Sequence, residues 1–273
     1  MKRIVAIAAA AIVFASHGAA PFFTEPGALD PAGGHVQGAC TDGEFYYLSQ
    51  MTGICKFDRS GKLVKRVAAV CHTGDICWHD GRLYSSVAVY QGPHKDKGMI
   101  QVFDRDLKLV REKLLDRPTD GIAFLNGVLY VGGGSNLETV PHTPGQAPQS
   151  KTPHRENVIL RLDPETLEVI GRAVIDYGYK TRYGVQNIAT DGRQLYLCFY
   201  AVKGAPGVAV YGPDLKLQGT IDFTAGNGFD ALPGAAADGK TRFFACQTIN
   251  SPDKPLRCRI TFYELDGKVM KEM

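Results

Sequence analysis

Gln37, Asp75 and Gln186 each stand five residues ahead of an Asp-Gly pair: Asp42-Gly43, Asp80-Gly81 and Asp191-Gly192. Asp120 stands six ahead of Asn126-Gly127, and Asp230 precedes a fifth such pair, Asp238-Gly239. An oxygen-bearing side chain thus recurs at nearly one height relative to a repeated turn. Asp75, Asp120 and Asp230, with amide oxygens from Gln37, Gln186 or Asn187, are ligand types for a hard cation such as calcium. Such an ion polarises an ester or lactone carbonyl, or lowers the pKa of a bound water. His35 and His72 precede Gln37 and Asp75, and imidazole titrates in the range a general base needs. The expectation is therefore His35 and His72 as catalytic groups, and Asp75, Asp120 and Asp230 as the metal set. Gln37, Asp75, Asp120, Tyr183, Gln186, Asn187, Phe229 and Asp230 are the expected ligand-binding residues. Two other chemistries fit the same residues. One is a sugar or peptide held by hydrogen bonds and by stacking on Tyr183 and Phe229. The other is a ring of polar groups bonded to buried water that ties the chain together. Trp78 reads as core, because it lies deep in a strand pattern.

These residues need elements to bring them together, and the chain repeats one phrase five times. A turn is followed by an apolar burst: Asp42-Gly43 then 45–48, Asp80-Gly81 then Leu83-Tyr84, Asn126-Gly127 then Leu129-Tyr130, Asp191-Gly192 then 195–197, Asp238-Gly239 then Phe243-Phe244. An alternating strand ending in a turn follows each burst, at 54–58, 100–104, 159–163, 208–212 and 260–264. Asp-Gly and Asn-Gly supply the positive φ of tight hairpins. Period-two alternation is common and helical periodicity is absent. Repeats of about 40–50 residues with four strands each describe propeller blades. The expected fold is all-β, a five-bladed β-propeller with four antiparallel strands per blade. The blades run over about 34–71, 72–117, 118–180, 181–226 and 227–273. Residues 135–157 are polar and carry four prolines, which reads as an inserted loop rather than a sixth blade. A six-bladed ring, with two strands hidden in that insert, and a β-sandwich are the alternatives. The ring should close by packing blade 5 on blade 1, and residues 21–33 could add an outer edge. In a propeller the first strand of each blade lines the axis. The starts of those strands meet at one opening.

Bulk features narrow the setting. Lys2 and Arg3 precede an apolar run over 4–15 and small residues to Ala20, the pattern of a secretory signal too short to span a bilayer. The expected location is periplasmic or secreted. The formal net charge is only +3, part of it from Lys2 and Arg3. That gives no electrostatic case for nucleic acid or an anionic membrane. The expected partner is a small-molecule or carbohydrate ligand, and the chain is expected to be monomeric. Seven cysteines leave at least one thiol unpaired, and no CxxC or zinc spacing occurs. Cys40, Cys77, Cys198 and Cys246 sit inside strand patterns, so buried thiols and one or two disulfides are both open. No Gly-x-Ser-x-Gly elbow is present.

The phrases His35-Val36-Gln37-Gly38, Gly74-Asp75 through Leu83-Tyr84, and Gly184-Val185-Gln186-Asn187 resemble those of exported bacterial propellers. More loosely, the chain is similar to the glutamine cyclotransferase group and to the gluconolactonase group. The first resemblance implies an exported five-bladed enzyme. Val36-Gln37-Gly38 keeps part of that group's first motif, whereas Thr73-Gly74-Asp75 lacks the glycine-flanked glutamate of its second. The second resemblance implies a calcium site, for which Asp230 and Asn187 stand in for two ligands without the usual glutamate. The functional expectation is a metal-assisted hydrolase of a small polar ester, lactone or sugar derivative. A non-catalytic glycan- or peptide-binding propeller and a glutamine cyclotransferase-like enzyme are the alternatives.

Overall fold

The computed structural model describes residues 20–69, 72–133, 155–201, 204–225, 227–233, 239–251 and 254–273. The expected leader and nearly all of the expected insert lie outside them. The first strand, β1 (Phe22–Phe23), is followed by blade 1: β2 (Gly38–Thr41), β3 (Tyr46–Gln50), β4 (Gly53–Phe57) and β5 (Leu63–Ala68). Blade 2 holds β6 (His72–His79), β7 (Arg82–Val89), β8 (Lys97–Asp104) and β9 (Leu109–Leu115). Blade 3 holds β10 (Ile122–Leu125), β11 (Val128–Gly132), β12 (Asn157–Leu162) and β13 (Val169–Ile175). Blade 4 holds β14 (Thr181–Thr190), β15 (Leu195–Ala201), β16 (Val208–Tyr211) and β17 (Leu217–Ile221). Blade 5 holds β18 (Phe229–Ala231), β19 (Arg242–Ser251), β20 (Lys254–Asp266) and β21 (Val269–Glu272). Each blade is a sequential antiparallel meander, so the five-bladed propeller is established.

The turns form for the reasons the residues suggest. His79 pairs with Arg82 and Leu125 with Val128, which leaves two-residue turns at Asp80-Gly81 and Asn126-Gly127. All four turn residues have positive φ, at 43°, 74°, 51° and 80°. In blades 1 and 4 the loop is longer, and the aspartate caps it instead. Asp42 Oδ1 accepts the N–H groups of Glu44 and Phe45, and Asp191 Oδ1 those of Arg193 and Gln194.

Packing between blades explains why the strands are apolar on both faces. Side chains alternate across a strand, so Tyr46 and Leu48 pack toward blade 5 while Cys40, Tyr47 and Ile54 pack toward blade 2. The same division repeats at every seam, which gives five apolar clusters, each shared by two neighbouring blades. Trp78 stacks on Tyr47 across one of these seams, as its place in the strand pattern suggests.

Ring closure adds a feature to the expected packing. β1 pairs with β20 through Phe22–Ile260 and Phe23–Arg259, on the same outer side of β20 as β21. The chain then runs as a strap along the seam of blades 5 and 1. Thr24 N–H donates to Cys258 O (2.9 Å), Glu25 N–H to Gly61 O (2.7 Å) and Gly27 N–H to Leu256 O (3.1 Å). Ala28 and Leu29 are buried in the seam. The outer edge anticipated from residues 21–33 is therefore present. Cys40, Cys55, Cys77, Cys198, Cys246 and Cys258 are buried free thiols, packed as small apolar groups; Cys71 lies outside the described residues. Among the described residues no helix is long and apolar enough to cross a membrane.

Candidate functional site at the channel mouth

The inner strands approach the axis closely because glycine occupies the contact points. A Cβ on Gly38 would lie 2.5 Å from Asp75 Cα, and one on Gly74 would lie 2.8 Å from Asp120 O. That proximity lets Asp75 N–H donate to Asp120 O at 2.7 Å, joining blades 2 and 3 through backbone.

One half of the opening is built on blades 2, 3 and 4. Asp120 Oδ1 stands 3.7 Å from His72 Nε2. The Asp120 carboxyl also accepts from Gln186, whose amide donates to Tyr183 O at 3.0 Å. Burial pushes the Asp120 pKa up to about 7, and the Gln186 hydrogen bond opposes that rise. Burial, aided by nearby His35, pulls the His72 pKa down to about 4. Between these values both groups are uncharged, so this is not an ion pair at mildly acid pH. The His72 ring lies 5.2 Å from that of Tyr90.

The other half is built on blades 1, 4 and 5. His35 Nε2 lies 3.1 Å from Tyr200 Oη, and Asn227 Nδ2 donates to the same oxygen at 2.5 Å. Asn227 Nδ2 also reaches Gln37 Oε1 at 3.3 Å. Asn187 Nδ2 donates to Gln37 O (2.9 Å) while its Oδ1 accepts Gly228 N–H (3.0 Å). Gln37 and Asn187 thereby tie three blades together. Burial lowers the His35 pKa, so its imidazole is neutral at physiological pH.

The expected metal set does not converge. Asp75 Oδ2 accepts Ile122 N–H (3.1 Å) and Ile188 N–H (2.9 Å), so this buried carboxyl links blades 2, 3 and 4 across the axis. Burial drives its pKa well above the ordinary carboxylate range. Asp230 is half-buried in the channel, accepts Ala231 N–H (2.8 Å), and is pushed up by the same cause. Asp120 turns toward His72 and Gln186 instead. Calcium requires about six to eight oxygens around one point. Among the described residues no three His, Cys, Asp or Glu side chains are grouped to hold an ion. The expected Asp75–Asp120–Asp230 grouping is therefore corrected: the three carboxyl groups do not share one point. Phe229 is corrected as well, since it is fully buried and stacks on Phe243 at 4.8 Å. Adjacent strand residues face opposite ways, and Phe229 faces the blade 4–5 seam. His35, Gln37, His72, Asp120, Tyr183, Gln186 and Asn187 do assemble. Of the other histidines, His79 stacks on Phe124 beside the Asp80 turn, and His142 and His154 lie outside the described residues.

Tyr200 and Asn227 were missed. Asn227-Gly228 repeats the polar-Gly pattern of Gln37-Gly38 and Asp120-Gly121, a signal present in the sequence. Tyr200 sits one residue before the end of a second strand, next to Ala201, which pairs with Thr181, and its hydroxyl meets His35 and Asn227 at the same opening. A search confined to the first strands could not reach it.

No protein-family model matches the sequence, and no curated protein matches it either. Solved structures do resemble it. The glutaminyl cyclase of Myxococcus xanthus aligns over 92% of this chain and 97% of its own at 13% identity, with a TM-score of 0.59. A GH43_1 enzyme from Xanthomonas citri aligns over 87% of this chain and 90% of its own at 12% identity, with a TM-score of 0.56. At such identities the likeness is one of fold.

Proposed function

We propose that the mouth is an acid–base site for acyl transfer on a small polar carbonyl compound, with Asp120 handling the proton. The observation that carries this reading is a buried carboxyl placed between His72 and Gln186 at the opening, where burial pushes its pKa up to about 7. A general base works best when its pKa lies near the operating pH. As a water, hydroxyl or amine adds to the carbonyl carbon, the Asp120 carboxylate takes its proton, then returns it to the leaving group. His72 is a neutral polar neighbour at 3.7 Å rather than the base, because its pKa is too low. No metal enters the scheme. The likeness to glutaminyl cyclase supports including amide cyclisation among the candidate reactions. The apolar leader supports an exported setting.

The test compares wild type with Asp120→Asn on three probes: 4-nitrophenyl acetate, glucono-δ-lactone, and a glutaminyl peptide assayed by ammonia release. Wild type should turn over at least one, with activity rising through about pH 7. Asp120→Asn should lower kcat/KM by about 100-fold or more. Wild-type silence on all three, or full activity in Asp120→Asn, would overturn the reading. Stabilisation by a probe without turnover would instead favour a binding propeller.

A further inference from the structure

We propose that Tyr200, oriented by Asn227 and His35, is the second catalytic group of this site and donates to the substrate's carbonyl oxygen. The proposal rests on the acyl-transfer reading above. Its geometric basis is an accounting of one phenolic hydrogen. An amide nitrogen only donates, so Asn227 Nδ2 at 2.5 Å occupies a lone pair on Tyr200 Oη. The Tyr200 hydrogen must therefore point elsewhere, and His35 Nε2 lies 3.1 Å away. That requires the His35 tautomer with hydrogen on Nδ1 and a bare Nε2. Burial keeps His35 neutral, which preserves the lone pair. The ring of Tyr183 meets that of Tyr200 edge-on at 5.4 Å and limits its swing.

Across the opening stands Asp120, close enough to disfavour ionisation of Tyr200, whose pKa burial has already raised. One group can thus be ionised while the other keeps its hydrogen, which is how paired environments divide base from acid. In the step itself, the nucleophile bonds to the carbonyl carbon and its proton passes to the Asp120 carboxylate. The carbonyl π pair moves onto oxygen, where the Tyr200 O–H meets the developing charge. On collapse the carbonyl re-forms, the leaving group departs with the proton from Asp120, and Tyr200, which has kept its hydrogen throughout, turns its hydrogen bond back to His35 Nε2. Asn227 and His35 act as positioning residues, since they reach the substrate only through Tyr200.

Two measurements test this on the full chain. Histidine 15N NMR at pH 7.5 should show His35 with hydrogen on Nδ1. In Tyr200→Phe the His35 Nε2 resonance should shift while that of His72 stays in place. A hydrogen on His35 Nε2 overturns the proposal without reference to activity. On whichever of the three probes wild type turns over, Tyr200→Phe should lower kcat about 100-fold with KM nearly unchanged. His35→Gln should fall less and alter the pH profile, which a purely structural role would not do. Silence of the wild type fells the acyl-transfer reading together with this role; turnover that survives Tyr200→Phe fells this proposal alone.

Discussion

Asp120 and His72 bear opposite marks of the same burial. An acid raised from 3.8 to about 7 stabilises the fold below its unfolded value and loses that contribution as pH rises to 7. The cost above pH 7 is about 4 kcal/mol at 1.36 kcal/mol per unit. A histidine lowered from 6.5 to about 4 acts in reverse, destabilising by about 3 kcal/mol once the pH falls below 4. Between pH 4 and 6.5 the two slopes nearly offset. Asp120→Asn should therefore stabilise the protein by about 2–4 kcal/mol at pH 8 and change little at pH 4. Thermal melts at the two pH values check this, and equal shifts at both would contradict it. The polar height shared by Gln37, Asp120 and Gln186 was legible because it is counted from turns that proved real. The partners of those residues were not, since residue type alone does not state that Phe229 enters a seam while Asn227, ahead of the strand and beyond Gly228 at φ 84°, stays at the mouth.

The elements owe their placement to devices repeated from blade to blade. The turn aspartates of blades 1 and 4 also accept a tyrosine hydroxyl from the following strand, Tyr47 to Asp42 at 3.0 Å and Tyr196 to Asp191 at 3.1 Å. In the turns between third and fourth strands, Leu107 and Leu167 hold positive φ at 56° and 59°, and both are buried. Their apolar burial offsets a backbone conformation that costs about 1–2 kcal/mol. At the axis the device is glycine. Gly38→Ala would force a methyl against Asp75 Cα, where the obstacle is backbone and cannot rotate away. We expect a loss of about 1–3 kcal/mol in chemical denaturation, with the same change at the exposed turn residue Gly81 costing through its positive φ alone. A Gly38→Ala protein as stable as wild type would show that the inner strands have room to part. Strand existence and order were readable from alternation and turn residues, whereas the closeness of the inner strands was not. Nothing in a Val36-Gln37-Gly38 triplet states which backbone will lie against it.

At the scale of the molecule, the strap makes residues 22–29 a partner of the last blade. Removing residues 21–30 deletes the hydrogen bonds to Cys258, Leu256 and Gly61, the Asp30–Arg66 ion pair at 2.8 Å, and the burial of Ala28 and Leu29. That loss should lower Tm by about 10 °C, since deleting one buried leucine already costs about 2–5 kcal/mol. An unchanged melting curve would show that the seam is sealed by the two blades alone. The repeat announced the ring and its blade count. The clasp lay in a segment with no repeat, so its role was legible only as an option.

Asp75 has a last consequence. With its carboxyl fastened to Ile122 and Ile188 and its backbone against Gly38, it spans the middle of the ring like a stopper. Passage through the centre would have to break those bonds, so we expect whatever enters beside Tyr200 and Asp120 to leave by the same doorway, a molecule lingering there excluding the next one.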